Sequence, residues 1–194
     1  MVKTLKVEEA AGLADITPME GLLAAAREVL GMELAYLAEV RESELVLREV
    51  DGDAAAYGVR PGFALPRAHS WCHAMVAGEA PQLVRDAATM PEAADHPFIV
   101  ATGIRAYAGV PVRRADGTIY GSLCCLSRQP QPQLDLRDLR YLDVLARMAA
   151  DRLDAAEGAR VRRRAEVEAA AGQALLAALN ARENYTAAHS EAVL

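Results

Sequence analysis

The sequence predicts an α+β fold built on two antiparallel hairpins, with helices before and between them and a long C-terminal helix. Three observations predict it: two pairs of strand-like segments, helical segments before and between them, and a proline-free tail from Asp135 onward. With 194 residues, 53% of them hydrophobic, the chain can bury one substantial core. About forty residues then remain for something elongated.

Each element has a local reason. Residues 18–30, PMEGLLAAAREVL, carry apolar side chains at helical spacing, open on Thr17-Pro18 and stop at Gly31. LAYLAEVR and ELVLREVDG follow as two strands that pair as a hairpin, the second alternating Leu45, Leu47 and Glu49. GVRPGFALPRA, rich in Gly and Pro, reads as a loop leading to His69 and Ser70, where Ser70 caps a short helix WCHAMVAG. Then come a short strand PQLVRD and a helical or irregular stretch MPEAADHPFIVATG. The clearest local pattern is a second hairpin, AYAGVPVRR and TIYGSLCCLS, turned through Asp116-Gly117. In its first strand Ala106, Ala108, Val110 and Val112 share one face, and Tyr107 shares the other with Gly109 and Pro111. Such small residues leave room for a helix or a ligand close to the sheet.

From Asp135 the composition turns to Ala, Leu, Arg, Asp and Glu, which one long helix explains. A heptad frame runs through Leu139, Ala146, Leu153, Arg160, Val167 and Ala174, with Leu142, Ala149, Ala156, Arg163, Ala170 and Ala177. It is apolar at ten of twelve positions. The exceptions, Arg160 and Arg163, lie in RVRRR, a solvated stretch or an attractor for an acidic partner. The seam implies either a homodimer through this helix or packing of its first half on the domain's own sheet.

Acidic residues outnumber basic ones 27 to 21, which argues against nucleic acid as the main partner. No segment approaches the roughly 20 apolar residues of a membrane-spanning helix, so the expected location is the cytoplasm. Cys72, Cys124 and Cys125 form an odd set without CxxC spacing, and reduced thiols are the expectation.

The order of elements, with SWC on a capped helix, PQLVRDA after it, and GVPV, a DG turn and YGSLCCLS in succession, resembles a GAF sensory domain over residues 14–155. The resemblance implies a small antiparallel sheet with helices on both faces, a pocket for a small ligand or chromophore, and signalling through terminal helices. A second resemblance, at ALLAALNARENYTAAHSEAVL, is to the opening of an HD-type phosphohydrolase domain of the HD-GYP kind. It implies a division into a sensory domain at 1–155, a connecting helix at 156–174 and the start of an output domain at 175–194. His189 matches a metal ligand of that family, but the later ligands are absent, so no catalysis is expected of this chain. The expectation is a piece of a longer signalling protein that ends just inside its output domain.

The Cys72-His73 pair admits several chemistries. Bilin-binding GAF domains place their tether in the region of His96 and Pro97, where this chain has no cysteine. Metal ligands would come from Cys72, His69, His73, His96 and one of Cys124 and Cys125, since neighbours on a strand point to opposite faces. A haem would need an axial His69 or His96. As a nucleophile or redox sensor, Cys72 would gain from its helix N-terminus, but His73 lies about 100° around the helix. A relay like that of methionine sulfoxide reductases of this fold needs Cys72 to meet Cys124 or Cys125. For a cyclic nucleotide, Arg105 and Ser70 would help, without a phosphate-cradling loop. Burial of Trp71 or Cys72 against the core, with His73 toward solvent, outweighs each of these chemistries and moves the pair to the wall of a pocket. Ser70, Trp71, Cys72, Met75, Phe98, Ile99 and Tyr107 are the expected ligand contacts, and no cofactor is named. A filled core serving only as a dimerisation scaffold is the remaining alternative.

Overall fold

A computed structural model describes residues 19–191, with side chains to residue 179. The chain divides into two units, one ending at Arg152 and one beginning at Leu153. The N-terminal unit opens with α1 (Met19–Leu30), which buries Leu22, Leu23, Ala26 and Leu30 and ends at Gly31 with φ 63°. A left-handed φ is cheap only for glycine, which fixes the helix stop read from sequence. The hairpin follows as β1 (Leu34–Val40) and β2 (Glu44–Gly52).

The pairing of β1 with β2 departs from simple alternation. The register shifts between Leu37 and Ala38, so that Leu37 faces Glu49 while Ala38 faces Leu47. This bulge puts Val50, rather than Glu49, on the face of Leu45 and Leu47, beside Tyr36. A period-2 reading has no means of seeing an inserted residue.

Part of the Gly/Pro-rich loop is a strand, β3 (Ala64–Pro66), which pairs with Glu44–Val46 at the sheet edge. An edge position is where a proline fits, because its missing N–H faces no partner strand. A 3₁₀ turn at Arg67–His69 leads into α2 (Trp71–Ala77), whose cap is Ser70, the side chain accepting from the His73 N–H at 3.2 Å. The PQLVRD strand reduces to β4 (Leu83–Val84). After it come a 3₁₀ turn at Ala87–Thr89, α3 (Pro91–Ala94) and α4 (Pro97–Thr102). Strands β5 (Ala106–Arg113) and β6 (Ile119–Ser127) form the second hairpin, where Asp116 Oδ1 accepts from the Thr118 N–H at 2.9 Å.

The six strands run β3-β2-β1-β6-β5-β4, all antiparallel. One face of the central strands carries Leu34, Tyr36, Tyr107, Cys124 and Leu126, packed with Trp71, Cys72 and Met75 of α2. The other carries Ala35, Leu37, Ala108, Val110, Leu123 and Cys125, all buried. On that side α1 packs against β1, β2 and β6.

The last helix, α5 (Leu136–Glu191), buries Leu142, Leu145, Ala146, Ala149 and Ala150 in its first part. Of the heptad seam, Leu142, Ala146 and Ala149 are therefore covered within the chain's own domain. In the second unit every side chain from Ala159 to Leu179 is exposed, including Val161, Val167, Leu175, Leu176 and Leu179. Within RVRRR, Arg164 pairs with Glu168 at 2.9 Å, a solvated i,i+4 contact. His189 lies outside the residues whose side chains are described.

Candidate functional site

A narrow, nearly filled apolar cleft lies on the α2 side of the sheet. Its floor is Leu34, Tyr36, Leu45, Leu47 and Leu126. Tyr57, Val59, Phe63 and Leu65 form one wall, and Phe98 and Thr102 of α4 form the other, with Ser70 contributing its buried side chain. An adjoining opening adds His69, Pro97 and Ala101. The lining is almost wholly apolar, with a few hydroxyls.

The mouth is held by one arginine. Arg128 Nε donates to the Thr102 carbonyl at 3.1 Å and Nη2 donates to the Ala56 carbonyl, while the guanidinium sits 4.6 Å from the centre of the Tyr57 ring. Glu33 completes the clamp, accepting from the Tyr57 hydroxyl at 2.5 Å and from the Arg128 N–H at 3.0 Å. Burial and the Glu33 carboxylate both push the Tyr57 phenol above its ordinary range, so it stays a neutral donor.

Behind the floor sits a protic cluster. The Tyr36 hydroxyl is 2.9 Å from Cys72 Sγ, and the Tyr107 hydroxyl is 3.2 Å from Cys124 Sγ. The Cys124 thiol donates to Cys72 Sγ at 3.3 Å and lies 3.4 Å from Ser122 Oγ. Strand order creates this meeting: Tyr36, Cys124 and Gly109 are paired across β1, β6 and β5, and α2 lays Cys72 over them. Burial opposes ionisation of Cys72. Hydrogen bonds from Cys124, Tyr36, Tyr107 and Ser122 outweigh it and hold the thiol at about 7. Burial and the neighbouring Cys72 drive the Cys124 thiol well above its ordinary value. On the opposite face Cys125 has no such donors, and burial pushes it up to about 12.

The room beside Tyr107 has a specific occupant. A Cβ on Gly109 would stand 2.2 Å from the Tyr107 hydroxyl and 3.0 Å from Cys124 Sγ. Gly109 is therefore small for the sake of Tyr107's own phenol, not for a helix or a ligand.

The expected contact residues divide into two groups. Ser70 and Phe98 line the cleft. Trp71, Cys72, Met75, Ile99 and Tyr107 are buried in the core cluster behind it. Trp71 stands edge-on to His96 at 5.2 Å and to Tyr107 at 6.1 Å, and borders a second, more open hollow with Glu79, Met90 and Glu92. His73 is half-buried rather than turned to solvent, and its Nε2 accepts from Arg67 Nε at 2.8 Å. His96 caps α4, Nδ1 accepting from the Phe98 N–H at 3.3 Å, and burial with the nearby His69 lowers its basicity. Arg105 is engaged by Asp86 in a bidentate pair at 2.6 and 2.7 Å, so it is not poised for a phosphate. Among the described residues, no three His, Cys, Asp or Glu side chains group to hold a metal ion.

Sequence reasoning missed Tyr36, Tyr57, Val59, Phe63 and Thr102. The apolar Tyr57, Val59 and Phe63 inside a Gly/Pro-rich loop were the available signal, since a purely solvated loop has no use for them.

A hairpin-built antiparallel sheet with an apolar cleft under a loop and short helices is the architecture of a small sensory domain. The chain belongs to the GAF domain family, whose model matches residues 19–153. Over 89 residues it is 36% identical to a cyclic di-GMP phosphodiesterase of Pseudomonas aeruginosa, a match covering 45% of this chain and 15% of that protein. Among solved structures, a free methionine-R-sulfoxide reductase from Neisseria meningitidis in complex with its substrate aligns with TM-score 0.58 and 22% identity, over 82% of this chain and 98% of that one. The second GAF domain of DevS from Mycobacterium smegmatis aligns with TM-score 0.56 and 20% identity, over 74% and 96%. At such identities the likeness is one of fold. No helix among the described residues is long and apolar enough to cross a membrane.

Proposed function

We propose that this chain is the signal-input module of a cytoplasmic signalling protein, and that it senses a small ligand of low polarity in the cleft between the sheet, the Tyr57–Leu65 segment and α4. The observation that carries this reading is the apolar cleft itself, roofed by a loop that one arginine ties to α4. In the same reading α5 pairs with its counterpart in a homodimer and passes the signal to an HD-type phosphodiesterase output beginning near residue 175. The exposed Val167, Leu175, Leu176 and Leu179 support a helix partner, and the partial match to a cyclic di-GMP phosphodiesterase supports the output class. Ligand occupancy would bias two arrangements of the terminal helices by its differential affinity for them.

Native mass spectrometry and an absorbance spectrum of freshly purified protein test the sensing step. The expected result is a bound small molecule that is lost in Val59→Trp, a substitution that fills the cleft from its loop wall. A bare mass, with no thermal shift across an apolar-metabolite screen, favours the dimerisation scaffold. Light scattering should give a dimer, and a monomer at micromolar concentration sinks the coiled route.

A second reading, cysteine chemistry on a sulfoxide, has one observation in its favour: Cys72 and Cys124 meet at 3.3 Å. Turnover of free methionine sulfoxide by the wild type, abolished in Cys72→Ser, would establish it.

A further inference from the structure

Cys72 and Cys124 belong to elements 52 residues apart, yet their sulfurs are in hydrogen-bond contact. Tyr36, Tyr107 and Ser122 surround them with hydroxyls. Aliphatic side chains would fill this space without burying five protic groups, so packing alone does not explain the arrangement. Tyr36 stands between the buried pair and the cleft, its ring lining the cleft and its hydroxyl touching Cys72. The sulfur thus lies one side chain from the cleft.

We propose that Cys72 and Cys124 form a two-electron redox couple whose oxidised form is an internal disulfide and whose oxidant is a small peroxide. The proposal goes beyond ligand sensing and stands whether or not the cleft holds a metabolite. In the first step the Cys72 thiolate attacks one peroxide oxygen. The S–O bond forms, the O–O bond breaks, and the departing oxygen leaves as hydroxide, which takes up the proton Cys72 gave up and becomes water. The sulfur, now a sulfenic acid, has lost two electrons and the peroxide has gained them. In the second step Cys124 sulfur attacks Cys72 sulfur, the S–S bond forms, and the sulfenic hydroxyl departs with the Cys124 proton as a second water. A small-molecule dithiol returns both residues to thiols. The assignment of roles follows the geometry: Cys72 touches Tyr36, whose ring lines the cleft, whereas Cys124 lies against Tyr107 and Ser122 and serves as the resolving thiol. Closing 3.3 Å to the roughly 2.05 Å of a disulfide draws α2 toward β6, so oxidation alters packing on the cleft side of the sheet.

The test is hydrogen peroxide treatment of the full chain, at doses that leave its circular dichroism unchanged. Alkylation of remaining thiols and non-reducing peptide mapping follow. The expected result is one cross-linked pair containing Cys72 and Cys124, reversed by dithiothreitol, with Cys125 recovered as a free thiol after unfolding. Cys125→Ser should leave the cross-link intact. Cys124→Ser should lose it and carry Cys72 onward to sulfinic acid. A serine variant that fails to fold leaves the wild-type cross-link as the deciding measurement. Sulfinic acid at Cys72 of the wild type without a cross-link, a link to Cys125, or full recovery of all thiols would each overturn the proposal.

Discussion

The two faces of the sheet diverge at adjacent residues, Cys124 and Cys125. Cys125 looks toward α1, where Arg27 and Asp51 are its nearest charges, among Ala35, Leu37, Ala108, Val110 and Leu123. Cys124 looks toward α2, into tyrosines, a second thiol and a serine, with the cleft beyond. One face is aliphatic and serves cohesion. The other gives up dense packing for protic groups and a narrow cleft. The same backbone thus holds chemistry steady on one side because the other side is conventional.

The comparison is most directly broken on the aliphatic face. Leu123→Ala, at a fully buried site, is expected to destabilise by about 2–5 kcal/mol in urea denaturation while leaving the Cys72–Cys124 contact intact. Next comes Gly109→Ala on the protic face. Its new methyl collides with the Tyr107 hydroxyl and should cost about 1–3 kcal/mol, with a changed Tyr107 environment in near-ultraviolet circular dichroism. Smaller again is Tyr36→Phe. Removing one hydroxyl should cost about 1 kcal/mol and raise the Cys72 thiol above about 7, read as an upward shift in the pH profile of alkylation. The smallest effect is expected at the half-exposed Asp86–Arg105 pair. The Arg105 hydrogen bonds hold the Asp86 carboxyl below its ordinary 3.8. A depressed acid stabilises the fold above that ordinary value, and the contribution is lost as pH falls through the lower folded one. The urea midpoints of wild type and Asp86→Asn should therefore differ at neutral pH and converge under acid. A gap that widens under acid would contradict the pairing.

Elements set by local chemistry were legible in the sequence. Ser70 as a cap, the Asp116-Gly117 turn, the Gly31 stop and the opposite orientations of Cys124 and Cys125 each follow from a few neighbouring residues. What depended on distant partners was not legible. Pairing with β2 turns Ala64–Pro66 from loop into strand, and the bulge beside Arg48 moves Val50 to the cleft side of the sheet. The thiol meeting needs α2 laid across β5 and β6, which no spacing between residues 72 and 124 encodes. The cleft walls escaped for a similar reason, since Tyr57 is placed by Glu33 and Arg128, from opposite ends of the domain sequence.

Arg128 has a kinetic consequence. One guanidinium grips the Ala56 carbonyl on the loop rim and the Thr102 carbonyl on the helix rim, so the two rims cannot part independently. Passage of the proposed guest between them then takes the breaking of at least one of these bonds. Arg128→Ala would then speed exchange in both directions by similar factors, changing residence time far more than occupancy at equilibrium.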